Sequence, residues 1–297
     1  KAEIVSSERK KGYIDKIKID SPVLAQSQDK ESIKTIYVLL PPSYDDSKKS
    51  YPVVYYLPTA NNRSNEIFYF DTDMYNSIES GDIKEFILVS IDGKNKFGSS
   101  FYFDTKEGNF KTHIIKEIIP LIDSNYRTIK NPESRGITGT EAGALGALNI
   151  SLKHPDLFSY TFAHGPMSVK RDGFSGDFVV DPHHHGCRID AYRKTFVAGK
   201  ELNPETLKLW ETGLGNWENR VKTYLSLETP LKGIFITNID HNTELWYNEG
   251  ITDLIEVFKE NKLKIETDIL KGSPYIEFDK QIVLNNILPY FSNNLSF

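Results

Sequence analysis

Residues Ser134 to Ser159 read SRGITGTEAGALGALNISLKHPDLFS, and the centre of the stretch is Gly139-Thr140-Glu141-Ala142-Gly143. Arg135 to Thr138 is a short strand that runs into glycines. Ala144 to Lys153 is a helix that stops before His154-Pro155, because the residue ahead of a proline avoids helical dihedrals. Glycines two before and two after a central residue, at a strand-to-helix turn, match the G-x-S-x-G elbow pattern. The turn is strained, and only small neighbours let its central side chain project from the sheet edge. The following helix N-terminus then supplies a backbone N–H for an oxyanion. Here the central residue is Glu141 rather than Ser, Cys or Asp.

Working outward, apolar runs alternate with helical periods. Thr35–Leu40 (TIYVLL) is a strand that ends at Pro41-Pro42, since proline cannot extend a ladder. Val53–Leu57 (VVYYL) and Phe86–Ile91 (FILVSI) are apolar throughout, as strands buried on both faces are. Apolar residues at Ile114, Ile115, Ile118, Ile119 and Ile122 follow a helical period. Tyr160–Ala163, Gly233–Ile239 and Glu266–Leu270 read as further strands. Helices are expected around Trp210–Leu225, Thr252–Asn261 and Gln281–Phe291. The alternation predicts an α/β fold with a mainly parallel central sheet and helices on both faces. Residues 165–232 break the rhythm, and a connection of that length reads as a lid-like insertion.

Composition excludes several classes. The chain has 297 residues, a net charge of -5 and one cysteine, Cys187. No intrachain disulfide or cysteine-rich zinc site can form. No basic surplus points to nucleic acid, and no apolar run is long enough to span a membrane. The chain begins at Lys1, which raises the expectation of an exported mature protein, periplasmic or extracellular.

The whole pattern resembles the esterase D-like branch of the α/β hydrolases, which includes S-formylglutathione hydrolases, feruloyl and siderophore esterases and mycolyltransferases. The similarity rests on YVLLPPSYDDSKKSYPVVYYLP (Tyr37–Pro58), on IIKEIIPLIDSNYRT followed by the elbow stretch, and on the C-terminal NILPYFSNNLSF. The resemblance implies one α/β-hydrolase domain over 1–297, with the lid-like insertion within it. It implies no required cofactor, and a small-molecule or carbohydrate-ester ligand.

The departures are specific. The family's nucleophile falls on Glu141, and its triad acid falls on Asp240, next to His241. Its histidine falls in Gly272-Ser273-Pro274-Tyr275, which holds none. Its oxyanion region falls on Thr59, together with the backbone of Ala142. A Ser–His mechanism needs a hydroxyl and an imidazole within hydrogen-bond reach, so a serine-type esterase is not expected. If catalysis persists, Glu141, Asp240 and His241 are its candidates, with the carboxylate as nucleophile or base. Glu141, His164, His183, His184 and His185 form a candidate ligand set for a divalent metal, Zn²⁺ first. The remaining alternative is a catalytically inactive binding module, because fold does not fix function.

Overall fold

The computed structural model describes residues 1–27, 30–59, 64–170, 215–239, 245–270 and 280–297. Nine strands form one sheet. In chain order they are β1 (Glu3–Lys10), β2 (Ile14–Asp20), β3 (Ile33–Leu39), β4 (Val53–Leu57), β5 (Ile87–Ile91), β8 (Arg135–Thr140), β9 (Tyr160–His164), β10 (Gly233–Ile239) and β11 (Glu266–Leu270). A separate two-stranded ribbon pairs β6 (Asp104–Thr105) with β7 (Gly108–Asn109). The sheet order is β1-β2-β3-β5-β4-β8-β9-β10-β11. Every pair from β5 to β11 is parallel, and the first three strands run antiparallel beside them. The expected mainly parallel sheet is therefore present.

Central strand β4 shows how the layers form. Successive side chains on a strand point to opposite faces. Val53, Tyr55 and Leu57 join a cluster with Ile114, Ile118 and Ile122 on one face. Val54 and Tyr56 join Phe70, Met74, Ile287 and Phe291 on the other. The flanking helices include α1 (Pro22–Ala25), α2 (Asp71–Glu79), α3 (Phe110–His113), α4 (Ile119–Asn125), α5 (Ala142–Lys153), α6 (Trp217–Leu225), α7 (Leu245–Glu260) and α8 (Leu288–Asn294). A π turn over Ile114–Ile118 joins α3 to α4, and another over Val283–Ile287 leads into α8. Each precedes a proline, Pro120 and Pro289. A proline inside a helix removes a donor and crowds the carbonyl four residues back, and the wider turn accommodates that loss.

Helix α5 lies at the centre. Apart from Lys153 it is buried along its length, as expected of a helix that is apolar all round. Its start at Ala142 is two residues earlier than the sequence period suggests. Several elements escape the sequence reading, β2, the short α1 and the β6–β7 ribbon among them, together with β1 and α2. Strand β1 is exposed along nearly its whole length, so it carries no alternation, and α2 is short and polar. Of the predicted insertion, residues 165–170 and 215–232 are described. The remainder, with His183, His184 and His185, lies outside the described residues. Within the described residues, no helix is long and apolar enough to cross a membrane.

Candidate functional site

The elbow is built by close backbone approach. Glu141 sits between β8 and α5 with φ 50 and ψ -109, a region that L-residues other than glycine rarely occupy. A Cβ on Gly143 would lie 1.9 Å from the Leu57 carbonyl oxygen, and one on Gly139 would lie 2.4 Å from the Gly143 carbonyl carbon. Both glycines are therefore obligatory for steric reasons. Main-chain bonds hold the strained residue in place. The Glu141 N–H donates to the His164 carbonyl at 2.9 Å. The Glu141 carbonyl accepts from the N–H groups of Leu145 at 3.1 Å and Met167 at 3.0 Å.

The side chain of Glu141 is 1% exposed, although an elbow is expected to push its residue towards solvent or a pocket. Its Oε2 accepts a hydrogen bond from the Thr59 hydroxyl. Thr59, also buried, lies just beyond the end of β4. The carboxylate does not cap α5, but it stands at the helix N-terminus, where the dipole favours negative charge. The Ala142 N–H belongs to the first helical turn, whose donors lack intrahelical acceptors.

His164 closes the other side. It ends β9, opposite Thr140 on β8 and Thr237 on β10. Its Nδ1 is hydrogen-bonded to the Thr237 hydroxyl at 2.7 Å. Gly165, with φ 54, follows and donates to the Thr237 carbonyl at 2.9 Å. Thr237 was not singled out in the sequence, where a threonine in mid-strand gives no signal.

Tyr102 is a second residue that the sequence reading passed over. It sits at φ 59 beside Phe101 at φ 50. Its hydroxyl donates to the carbonyls of Pro58 at 3.0 Å and Ile91 at 3.2 Å. It thereby ties the loop after β5 to the segment that carries Thr59. Burial pushes its phenol well above the ordinary value, and the charges of Asp92 and Glu66 add to the effect. Tyr102 therefore stays a neutral donor at any physiological pH.

Thus Thr59, Glu141, Ala142 and His164 come together at the ends of β4, β8 and β9. Asp240 and His241 lie outside the described residues, as does the Gly272–Tyr275 turn. Among the described residues, no three His, Cys, Asp or Glu side chains gather to hold a metal ion.

A mainly parallel sheet with a left-handed, glycine-flanked elbow between a strand and a buried central helix defines an α/β hydrolase. The family described as "Putative esterase" matches residues 27–246, and the chain belongs to that family. It is similar to an esterase of Mycobacterium tuberculosis, 31% identical over 140 residues that cover 46% of this chain and 30% of the relative. It is also similar to an endo-1,4-beta-xylanase/feruloyl esterase of Xylanibacter ruminicola, 37% identical over 90 residues, covering 29% and 12%. The match thus spans less than a third of the length of either relative. Among solved structures, an S-formylglutathione hydrolase from Agrobacterium tumefaciens superposes with a TM-score of 0.69 at 18% identity, covering 99% of this chain and all of that one. A ferulic acid esterase from Anaeromyces mucronatus, solved in complex with ferulic acid, gives 0.61 at 19% identity, covering 99% and 96%. At these identities the likeness establishes the fold.

Proposed function

We propose that this chain is an esterase-family protein whose elbow cleft binds a small-molecule or carbohydrate-ester ligand without serine-type turnover. The observation that carries the reading is the buried Glu141 carboxylate bonded to Thr59. A carboxylate there supplies no hydroxyl nucleophile. It also engages the hydroxyl on the oxyanion side, where a serine enzyme needs donors left available for developing charge. Esters of aromatic acids are the first ligands to try, because a structural neighbour was solved with ferulic acid.

The test is hydrolysis of aryl acetates and methyl ferulate, with fluorophosphonate labelling alongside. The expected result is turnover no faster than that of Glu141→Ala, and no covalent label. Glu141→Ser should stay equally slow, because no histidine occupies Gly272–Tyr275 to act as general base. Robust hydrolysis abolished by the phosphonate would overturn the reading.

A divalent-ion site is the second reading. What supports it is the main-chain hydrogen bond from the Glu141 N–H to the His164 carbonyl, which makes these two residues backbone neighbours. Titration with Zn²⁺ should then give heat, and a rise in Tm that Glu141→Gln removes. Absence of both ends this reading.

A further inference from the structure

On the antiparallel side of the sheet, a cavity of about 220 Å³ opens where β2, β3 and the end of β5 meet a short 3₁₀ helix, Ser64–Tyr69. Its described walls are Lys16, Thr35, Tyr37, Ser64, Asn65 and Asp92. Lys16 lies opposite Tyr37 on the neighbouring strand, so the two side chains leave the same face of the sheet. The volume falls below the usual range for drug-sized ligands, and the space suits one ring rather than a chain.

Bonds among the walls hold the cavity in shape. The Ser64 hydroxyl donates to the Thr35 carbonyl, which ties the 3₁₀ helix to β3. Asp92 Oδ1 accepts from the Lys94 N–H at 2.9 Å, and the Lys94 carbonyl accepts from the Lys34 ammonium at 2.7 Å. The buried Lys34 thus anchors the loop after β5. Tyr37 is 8% exposed, and its ring packs edge-on against Phe68 with centroids 4.9 Å apart. Walls fixed in this way lose little freedom when a ligand arrives.

The polar ends of three side chains remain to be satisfied. The Lys16 ammonium, the Tyr37 hydroxyl and the Asn65 carboxamide make no hydrogen bond with any described residue. Lys16 offers three donors, while the phenol and the carboxamide each donate and accept. Burial pushes the Tyr37 phenol above its ordinary value, with the charge of Lys10 opposing and that of Glu8 adding. The hydroxyl therefore keeps its proton at physiological pH. Ligand hydroxyls also both donate and accept, so neighbouring ones on a ring answer all three groups. An anion entering this space meets the carboxylate of Asp92, and a cation meets Lys16. Neutral hydroxyls meet neither penalty.

We propose that this cavity binds a neutral ring polyol, a sugar or a cyclitol, with its adjacent hydroxyls held by Lys16, Tyr37 and Asn65. The described walls share no residue with the elbow, and the site is independent of the reading at Glu141.

The experiment titrates the full chain with xylose, glucose and myo-inositol, followed by ligand-observed NMR and thermal shift. Cyclohexanol, acetate and inorganic phosphate are the comparison probes. At least one of the three polyols should bind and raise Tm, and which of them binds separates a saccharide from a carbocyclic polyol. Cyclohexanol should bind at least about tenfold more weakly, because it leaves polar groups of the wall unpaired. Acetate and phosphate should also bind at least about tenfold more weakly, because each brings a negative charge towards Asp92. Lys16→Met should weaken the best polyol about tenfold through loss of a charged donor, and Lys16→Arg should retain it. Tyr37→Phe, which removes the hydroxyl and keeps the packing on Phe68, should weaken it about fivefold. Lys116→Met, an equal loss of charge at an exposed position outside the cavity, should leave the affinity unchanged. The proposal is overturned if none of the polyols binds, if Lys16→Met and Tyr37→Phe both bind as well as the parent, or if cyclohexanol, acetate or phosphate matches the best polyol.

Discussion

The two ends of α5 differ in what builds them. At the N-terminal end, main chain presses on main chain. The carbonyl of Leu57 stands where a Gly143 side chain would begin, and the residue between the glycines is nearly sealed from solvent. At the C-terminal end, side chains that are distant in sequence, Lys153, Asn219 and Arg220 among them, surround a cavity of about 280 Å³ against α6, and Lys153 stands exposed. The first end tolerates almost no added volume, whereas the second tolerates volume but is sensitive to charge.

That contrast is broken most directly by adding one methyl group. Gly143→Ala should lower the unfolding free energy by about 3 kcal/mol, at the upper end of overpacking penalties, because backbone cannot move aside as a flexible side chain can. Asn219→Ala at the far end should change it by less than about 0.5 kcal/mol, as surface changes do. Urea denaturation of both variants checks the pair. Similar values for the two would erase the distinction.

A smaller effect sharpens the comparison within the elbow. Thr59→Val keeps the shape but removes the hydroxyl that donates to Glu141. A buried carboxylate that loses a donor should cost about 2 kcal/mol, read from the same urea midpoints. A variant as stable as the parent would mean that the carboxylate draws its support from other donors.

The smallest effect belongs to the cavity end and appears only as a pH dependence. Folding lowers the Lys153 amine from 10.5 to about 8, so between those values the unfolded chain binds more protons than the folded one. Stability contributed by this group therefore rises with pH across that window and is lost as pH falls through about 8. Compared with the parent, Lys153→Met should show a shallower rise in Tm between pH 8 and 10. Parallel profiles would remove Lys153 from the account.

The same contrast explains what the sequence disclosed. Strands such as VVYYL (Val53–Leu57) and GIFITNI (Gly233–Ile239) are legible because burial on both faces demands unbroken apolar runs. The elbow is legible because its glycines answer a local steric demand at fixed spacing. Strand β1, EIVSSERK, is not legible, since seven of its eight residues are exposed and its strand character comes from pairing with β2. Nor is the Thr237 hydroxyl beside His164, which register alone supplies. Lys153 and Arg220 lie on different helices, and no local pattern announces that the fold brings them to one cavity.

The main-chain anchoring of Glu141 has one more consequence. The bonds that fix this residue run through its own N–H and carbonyl, to His164, Leu145 and Met167, and none of them consults the side chain. The turn is thus a socket with an interchangeable fitting. Serine, cysteine or another side chain no larger than glutamate can be mounted at position 141 in a backbone geometry set by its neighbours. The scaffold thereby offers a fixed mount on which side-chain chemistry can be varied one residue at a time.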